Sequence, residues 1–223
     1  MRTVAGSAMA QPFRRKIAAI LLCLIVTTGC TSAANSKPSM PKVDSSQPTT
    51  TATEPTGENK VLITDFNNPA ESSQWRTVND TVMGGNSQSE FRLTPESTAL
   101  FTGTISLENN GGFSSVRRRT DGSDFANAQV VTLRVKGDGL RYQLRLKMSE
   151  SDRAVSYRTE FDTRDGEWIT LSLDLDKFEP VFRGQIIENA PALVPAEVQE
   201  IGVLLGDKQS GEFELEIDWI RAE

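Results

Sequence analysis

The sequence contains no histidine, and its only two cysteines, Cys23 and Cys30, lie in the first thirty of 223 residues. With no imidazole and no thiol beyond Cys30, Ser–His and Cys–His nucleophilic schemes are excluded. Zinc sites built on His and Cys are excluded as well. Catalysis is left with carboxylates, Lys, Tyr or a hard metal. No disulfide can brace the chain after Cys30, so that part must stand on its core alone. The first apolar run, Ile17 to Val26, falls well short of the roughly 20 residues that span a bilayer as a helix.

That run does have a role. Phe13-Arg14-Arg15-Lys16 forms a short basic region before it, and Thr27-Thr28-Gly29 supplies small residues after it. This is the pattern of a secretory signal peptide. Small residues ending in Gly before a Cys resemble the lipobox of bacterial lipoproteins, in which the Cys becomes a diacylated N-terminus. Thr27 stands where Leu or Val is usual. Residues 1–29 are therefore expected to be a signal, with Cys30 the lipidation site and membrane anchor. Thr31 in place of Asp implies an outer-membrane lipoprotein facing the periplasm in a Gram-negative envelope. Ordinary secretion with an incidental Cys30 is the alternative, and Arg14-Arg15 leaves twin-arginine export open beside the general route.

Charge points away from nucleic acid. Removal of the signal takes Arg2, Arg14, Arg15 and Lys16 and no acidic group, leaving 20 of 24 basic against 30 acidic side chains. Phosphate neutralisation cannot drive affinity on so acidic a chain, and direct adhesion to anionic lipid is equally unsupported. From Thr31 to about Glu58 the chain is Ser, Thr, Pro, Ala and Asn with scarcely a bulky apolar residue. Such a stretch cannot bury enough surface to offset its entropy, so residues 30–59 read as a flexible tether.

Residues 60–223 change character. Val131, Leu133 and Val135 alternate with Thr132, Arg134 and Lys136; Tyr142, Leu144 and Leu146 alternate with Arg141, Gln143, Arg145 and Lys147. Val155, Tyr157 and Phe161, then Ile169, Leu171, Leu173 and Leu175, repeat the pattern, and Phe213, Leu215, Ile217 and Trp219 close it. Period-two alternation with one polar face predicts half-buried antiparallel strands. Gly137-Asp138-Gly139, Asp165-Gly166 and Ser210-Gly211 mark turns between them. The expected fold class is all-β, a sandwich of eight or more strands, with one helical turn over Pro195 to Glu200.

Two segments read as neither strand nor plain turn: Trp75 to Ser87, with Asn79, Asp80, Met83, Gly84 and Gly85, and Leu107 to Arg117, with Asn110, Gly111 and Gly112. Each pairs glycines with Asn or Asp, residues that tolerate positive φ and allow close backbone approach. Two tight sandwich loops would explain them. A paired-loop binding site using Asn79, Asp80, Asn110 and Arg117 is the functional alternative. Arg134, Lys136, Arg141, Arg145, Lys147 and Arg158 are expected to make a basic sheet face on which Gln143 and Arg145 suit sugar hydroxyls or carboxylates. Cross-strand pairing with Glu160, Glu212 or Glu214 is the plainer account. The outward positions assigned to that face hold no Trp or Tyr on which a sugar could stack. Glu160 with Asp162, and Asp174 with Asp176, are same-face carboxylates that could serve as an acid and base, or simply face solvent.

Together these residues resemble a known family. Trp75 to Ser87, Phe101-Thr102-Gly103, Asn109 to Arg117, Tyr157, Phe161, Trp168, Phe178 to Gly184, Ile201 to Lys208, Gly211, Phe213 and Glu216 to Ile220 are similar to the complex I intermediate-associated protein 30 family. The resemblance spans Lys60 to Arg221. It implies a galactose-binding-like jelly roll with no settled catalytic residues and no cofactor, and a chaperone-like role in assembling a protein partner. Mitochondrial members assist assembly of respiratory complex I; an exported copy would need a membrane-associated partner at the cell envelope instead. Some plastid relatives add a short-chain dehydrogenase-like domain, and no Gly-rich phosphate fingerprint follows a strand here. The same fold implies a carbohydrate-binding alternative, and Asp65 and Asp218 resemble calcium positions of related modules, although calcium takes about six or more oxygen ligands. A carboxylate-based hydrolase is the remaining reading.

Labelled palmitate is expected to be incorporated at Cys30, and Cys30→Ser to abolish the label and leave the precursor uncleaved. Efficient cleavage without any label would establish ordinary secretion.

Overall fold

A computed structural model describes residues 60–151 and 153–223, so the signal, Cys30 and the tether lie outside the described residues. Alternation becomes strands, in chain order β1 (Val61–Thr64), β2 (Trp75–Asn79), β3 (Gln88–Leu93), β4 (Ala99–Ile105), β5 (Ser114–Arg119), β6 (Val130–Lys136) and β7 (Arg141–Lys147). They continue as β8 (Ser156–Asp162), β9 (Trp168–Asp174), β10 (Glu179–Phe182), β11 (Gln185–Ile186), β12 (Glu200–Leu205) and β13 (Gly211–Ala222). All helical segments among the described residues are short 3-10 stretches, including Pro195–Glu197. The helical turn expected over Pro195 to Glu200 thus stops early, because Glu200 already begins β12.

Two antiparallel sheets result, and they form the expected all-β sandwich. One runs β3-β4-β13-β6-β9 with β1 also on β13, and the other runs β11-β10-β8-β7-β12-β5-β2. Val131, Leu133 and Val135 from the first share one apolar cluster with Tyr142, Leu144, Leu146, Ile201 and Val203 from the second. Burying a side chain of this size contributes about 1.5–3 kcal/mol, and with no thiol in this region such burial has to carry the fold.

Register overturns three expectations. First, β13 carries a bulge between Ile217 and Trp219: Ile217 pairs with Val135, yet Trp219 pairs with Arg134 and Ile220 with Leu133. One extra residue reverses the inward parity. Ile220 is therefore buried, while Trp219, expected inside, turns to the outer face. Secondly, the six basic residues do not share a face. Arg134 and Lys136 are on β6 of the six-stranded sheet, whereas Arg141, Arg145, Lys147 and Arg158 are on β7 and β8 of the other. Thirdly, Asp176 is not on a strand face with Asp174, because β9 ends and a 3-10 turn takes Leu175–Lys177.

Gly103 marks the tightest approach in the six-stranded sheet. A Cβ there would lie 2.1 Å from the Gln88 carbonyl oxygen and 2.7 Å from Ser89 Cα, both backbone atoms. Gly103→Ala is expected to lower unfolding free energy by about 1–3 kcal/mol in urea titrations. Thr104→Ala, exposed on the next position, should stay within about 0.5 kcal/mol of the parent; equal effects would show that the gap can open freely.

Candidate functional site

The two Gly-pair segments meet, and one carboxylate joins them. After β2 the chain enters a 3-10 turn over Asp80–Met83, and after β4 a second over Glu108–Asn110. Asp80, only 1% exposed, reaches from the first loop into the second. Its carboxylate accepts from Ser87 N–H at 2.9 Å, Ser87 Oγ at 2.5 Å, Gly112 N–H at 2.6 Å and Phe113 N–H at 3.4 Å. Burial raises its pKa, but the Ser87 hydroxyl and the Gly112, Ser87 and Phe113 N–H groups together outweigh that and hold it below the ordinary aspartate value.

Each glycine pair divides its labour. Gly84 and Gly112 take positive φ, 92° and 124°. Gly85 and Gly111 make room: a Cβ at Gly85 would fall 2.4 Å from Asp80 Cγ, and one at Gly111 2.5 Å from Asp80 Oδ2. The loops are glycine-rich because a carboxylate occupies the space where side chains would go. Asn86 Nδ2 donates to Glu108 Oε2 at 2.7 Å as a second tie between the same loops.

The sequence-derived site residues separate into different roles. Asn79 Oδ1 accepts from Ser89 and Ser114 hydroxyls, each at 2.7 Å. Asn110 is exposed with φ 60°. Arg117 lies on the outer face of the seven-stranded sheet, its Nε donating to Ser115 Oγ at 3.1 Å. The four polar groups proposed to converge on one ligand therefore do not converge. What the tied loops hold toward solvent is apolar: Val82 is 71% exposed, Met83 60% and Leu107 44%. Met83 stood out in the sequence by its neighbours; Val82 and Leu107 did not, and a bulky apolar residue inside a Gly/Asn-rich loop is the signal that could have found them.

The other candidates fare as follows. Asp162 is paired with Arg141 at 2.7 Å, and that hydrogen bond lowers its pKa, the opposite of what a general acid needs. Asp218 is ion-paired with Arg134, and Asp65 accepts from Asn67 Nδ2 at 2.7 Å. Among the described residues there is no group of three or more Asp, Glu, His or Cys that could hold a metal. On the outer face of the six-stranded sheet, contrary to the expected lack of outward aromatics, Trp168 pairs across from Lys136 and Trp219 from Arg134. Both rings are covered by cations: Arg134 is 4.6 Å and Lys136 5.1 Å from the Trp168 centroid, and Arg221 is 4.1 Å from that of Trp219.

Comparison with known proteins gives a family and a fold. The family model for complex I intermediate-associated protein 30 matches residues 64–217. The mouse mitochondrial protein of that name is 25% identical over 179 residues, 71% of this chain and 55% of its own length. The chain thus spans little more than half of that relative. An uncharacterized protein of Schizosaccharomyces pombe is 28% identical over 170 residues, 66% of this chain and 77% of that protein. Among solved structures, the family 11 carbohydrate-binding module of a Clostridium thermocellum cellulosomal cellulase superposes with a TM-score of 0.56. It is 12% identical, over 73% of this chain and 94% of that one. The same module with a mixed-linked tetrasaccharide gives 0.55 at 14% identity, with the same coverage. At such identities the likeness establishes the galactose-binding-like jelly-roll sandwich alone.

Asp80→Ala is expected to lower unfolding free energy by about 3 kcal/mol or more, since several buried donors lose a charged acceptor. Because the folded pKa is depressed below about 3.8, the ionic contribution is complete at neutral pH and lost as pH falls through that lower value. In urea titrations the gap between parent and Asp80→Asn should be constant above about pH 5 and shrink below it. A gap unchanged into strong acid would mean that charge plays no part.

Proposed function

Because the chain belongs to the complex I intermediate-associated protein 30 family, we propose that it is a non-catalytic binding or assembly factor for a protein partner. The observation that carries this reading is the pair of loops tied by Asp80, which hold Val82, Met83 and Leu107 in solvent. Exposed apolar side chains on tied loops favour docking, because less loop-ordering entropy is lost on contact. The name of the mouse relative denotes association with a complex I intermediate, and the reading carries that type of partner, a protein complex, to this chain. The basic and apolar segment before Cys30 and the box at Cys30 support an encounter at a cell envelope, with the chain anchored through lipid.

A carbohydrate-binding role is the second reading, favoured by the likeness to carbohydrate-binding modules and by Trp168 and Trp219. Cations already lie over both rings, which leaves less ring face for sugar stacking.

A photo-crosslinking amino acid at position 83 or 107 of the full chain, in its native cells, is expected to capture one defined protein. Placed at Asp176, exposed on a remote turn, it should not. Met83→Asp with Leu107→Asp should reduce recovery of that complex about tenfold. Equal adducts at all three positions, or glycan adducts in place of protein, would overturn the reading.

A further inference from the structure

The register of the seven-stranded sheet lines up four arginines. Arg158 on β8 faces Arg145 on β7, Arg145 faces Gly202 on β12, Gly202 faces Arg117 on β5, and Arg117 faces Arg76 on β2. One outward row thus crosses five strands with a glycine at its centre. A Cβ on Gly202 would lie 2.7 Å from the Val116 carbonyl and 3.1 Å from Arg117 Cγ. Its absence lets the Arg117 stem fold over β12 on the side of Arg145.

Counter-charge is uneven along the row. Glu200, 4% exposed, is 2.7 Å from Arg76 and 3.9 Å from Arg117. Arg158 has Glu160 and Glu179 at 3.7 Å and Asp207 at 3.9 Å, all near the limit of ion pairing, and its buried Nε has no hydrogen-bond partner. Arg145 lacks even this. Its Nε and Nη2 donate to the neutral Gln143 Oε1 at 3.0 and 2.6 Å, and no carboxylate of the described residues lies within ion-pair distance. Burial, with Arg158 and Arg117 close by, pulls its pKa down to about 10 against the opposing pull of Asp207, which itself accepts from Gln143 Nε2 at 2.5 Å. A half-buried cation between like charges is unfavourable unless an anion arrives to bridge them.

We infer that this row is a docking strip for the carboxylates of an acidic segment of the protein partner, with Arg145 its key cation. The inference rests on the partner being a protein, as proposed above. Guanidinium forks bind carboxylates in bidentate geometry, and neighbouring strands repeat at about 4.8 Å, so an extended acidic segment laid across the sheet meets successive arginines. The adjoining outward positions hold Gln143, Leu204 and Ser115 on one flank and Lys147, Glu200 and Arg119 on the other, with no aromatic ring for a sugar, which favours a polypeptide over an acidic polysaccharide.

Fluorescein-labelled tetraglutamate, read by anisotropy on the full chain, is the probe, with polygalacturonate as the second arm. Arg145→Gln and Arg145→Met are each expected to weaken tetraglutamate binding about tenfold or more. Arg145→Gln, which keeps a donor for the buried Gln143 Oε1, should leave Tm unchanged or raise it, since a poorly compensated charge is removed. If neither variant folds, Arg158→Gln serves and should weaken binding likewise. Unchanged affinity in the variants, a fall in the Tm of Arg145→Gln that accompanies the loss, or selective binding of polygalacturonate would each overturn the inference. Crosslinking at position 83 does not involve Arg145, so the two readings fail separately. A lost adduct with tetraglutamate binding intact removes the proposed function, and the reverse removes only the strip.

Discussion

The end of this sandwich that carries the two glycine-rich loops depends on one buried carboxylate. Asp80 is almost wholly removed from water, a position an ionised group can hold only if hydrogen bonds replace its hydration. Ser87, Gly112 and Phe113 supply them. The consequence reaches well beyond Asp80. Residues at 85 and 111 must lack a Cβ, those at 84 and 112 must turn left-handed, and the two loops must close on each other. Once they have closed, Val82, Met83 and Leu107 have no core to enter and remain in solvent. Polarity at the junction and apolarity at the tips are two sides of one arrangement.

The two outer faces of the sandwich are electrostatically different, and neither is plainly basic in the manner that counting outward cations suggests. On the six-stranded sheet Arg134, Lys136 and Arg221 lie over Trp168 and Trp219, while Asp218 and Glu216 complete pairs with Arg134 and Lys136. Arg134 and Lys136 are thus paired where they stand, while Glu212 and Glu214 remain exposed on the same face. On the seven-stranded sheet Glu200 gathers Arg76, Arg117 and Lys147, so negative charge lies at one side of the arginine row. Arg145 is left with a neutral partner. The asymmetry arises from strand register, which puts Gly202, and not an acidic residue, between Arg145 and Arg117.

Much of this was legible in the residues. The alternation of Val131 to Val135 and of Tyr142 to Leu146 gave two strands of one core, because a half-buried strand exposes every second side chain. The Gly pairs beside Asn and Asp located the loops, and the strings from Trp75 to Ile220 identified the family. Trp219 was misplaced because a bulge obeys no period-two rule, and Asp176 because the end of β9 leaves no mark in the local pattern. The basic residues of β6 and β7 are near in sequence yet do not share a face, because these consecutive strands belong to different sheets.

Composition and periodicity by themselves determined that the domain is all-β, that His- and thiol-based chemistry is impossible in it, and where its unusual loops lie. These are properties of residue type and of spacing along one strand, and both are local. Only the tertiary structure decided that Asp80 joins the loops instead of facing a ligand, that apolar side chains mark their tips, and that Arg145 stands in a row of four. Those facts depend on which strand lies beside which and in what register. Pairings between β7, β12 and β5 join residues far apart along the chain, where no local pattern extends.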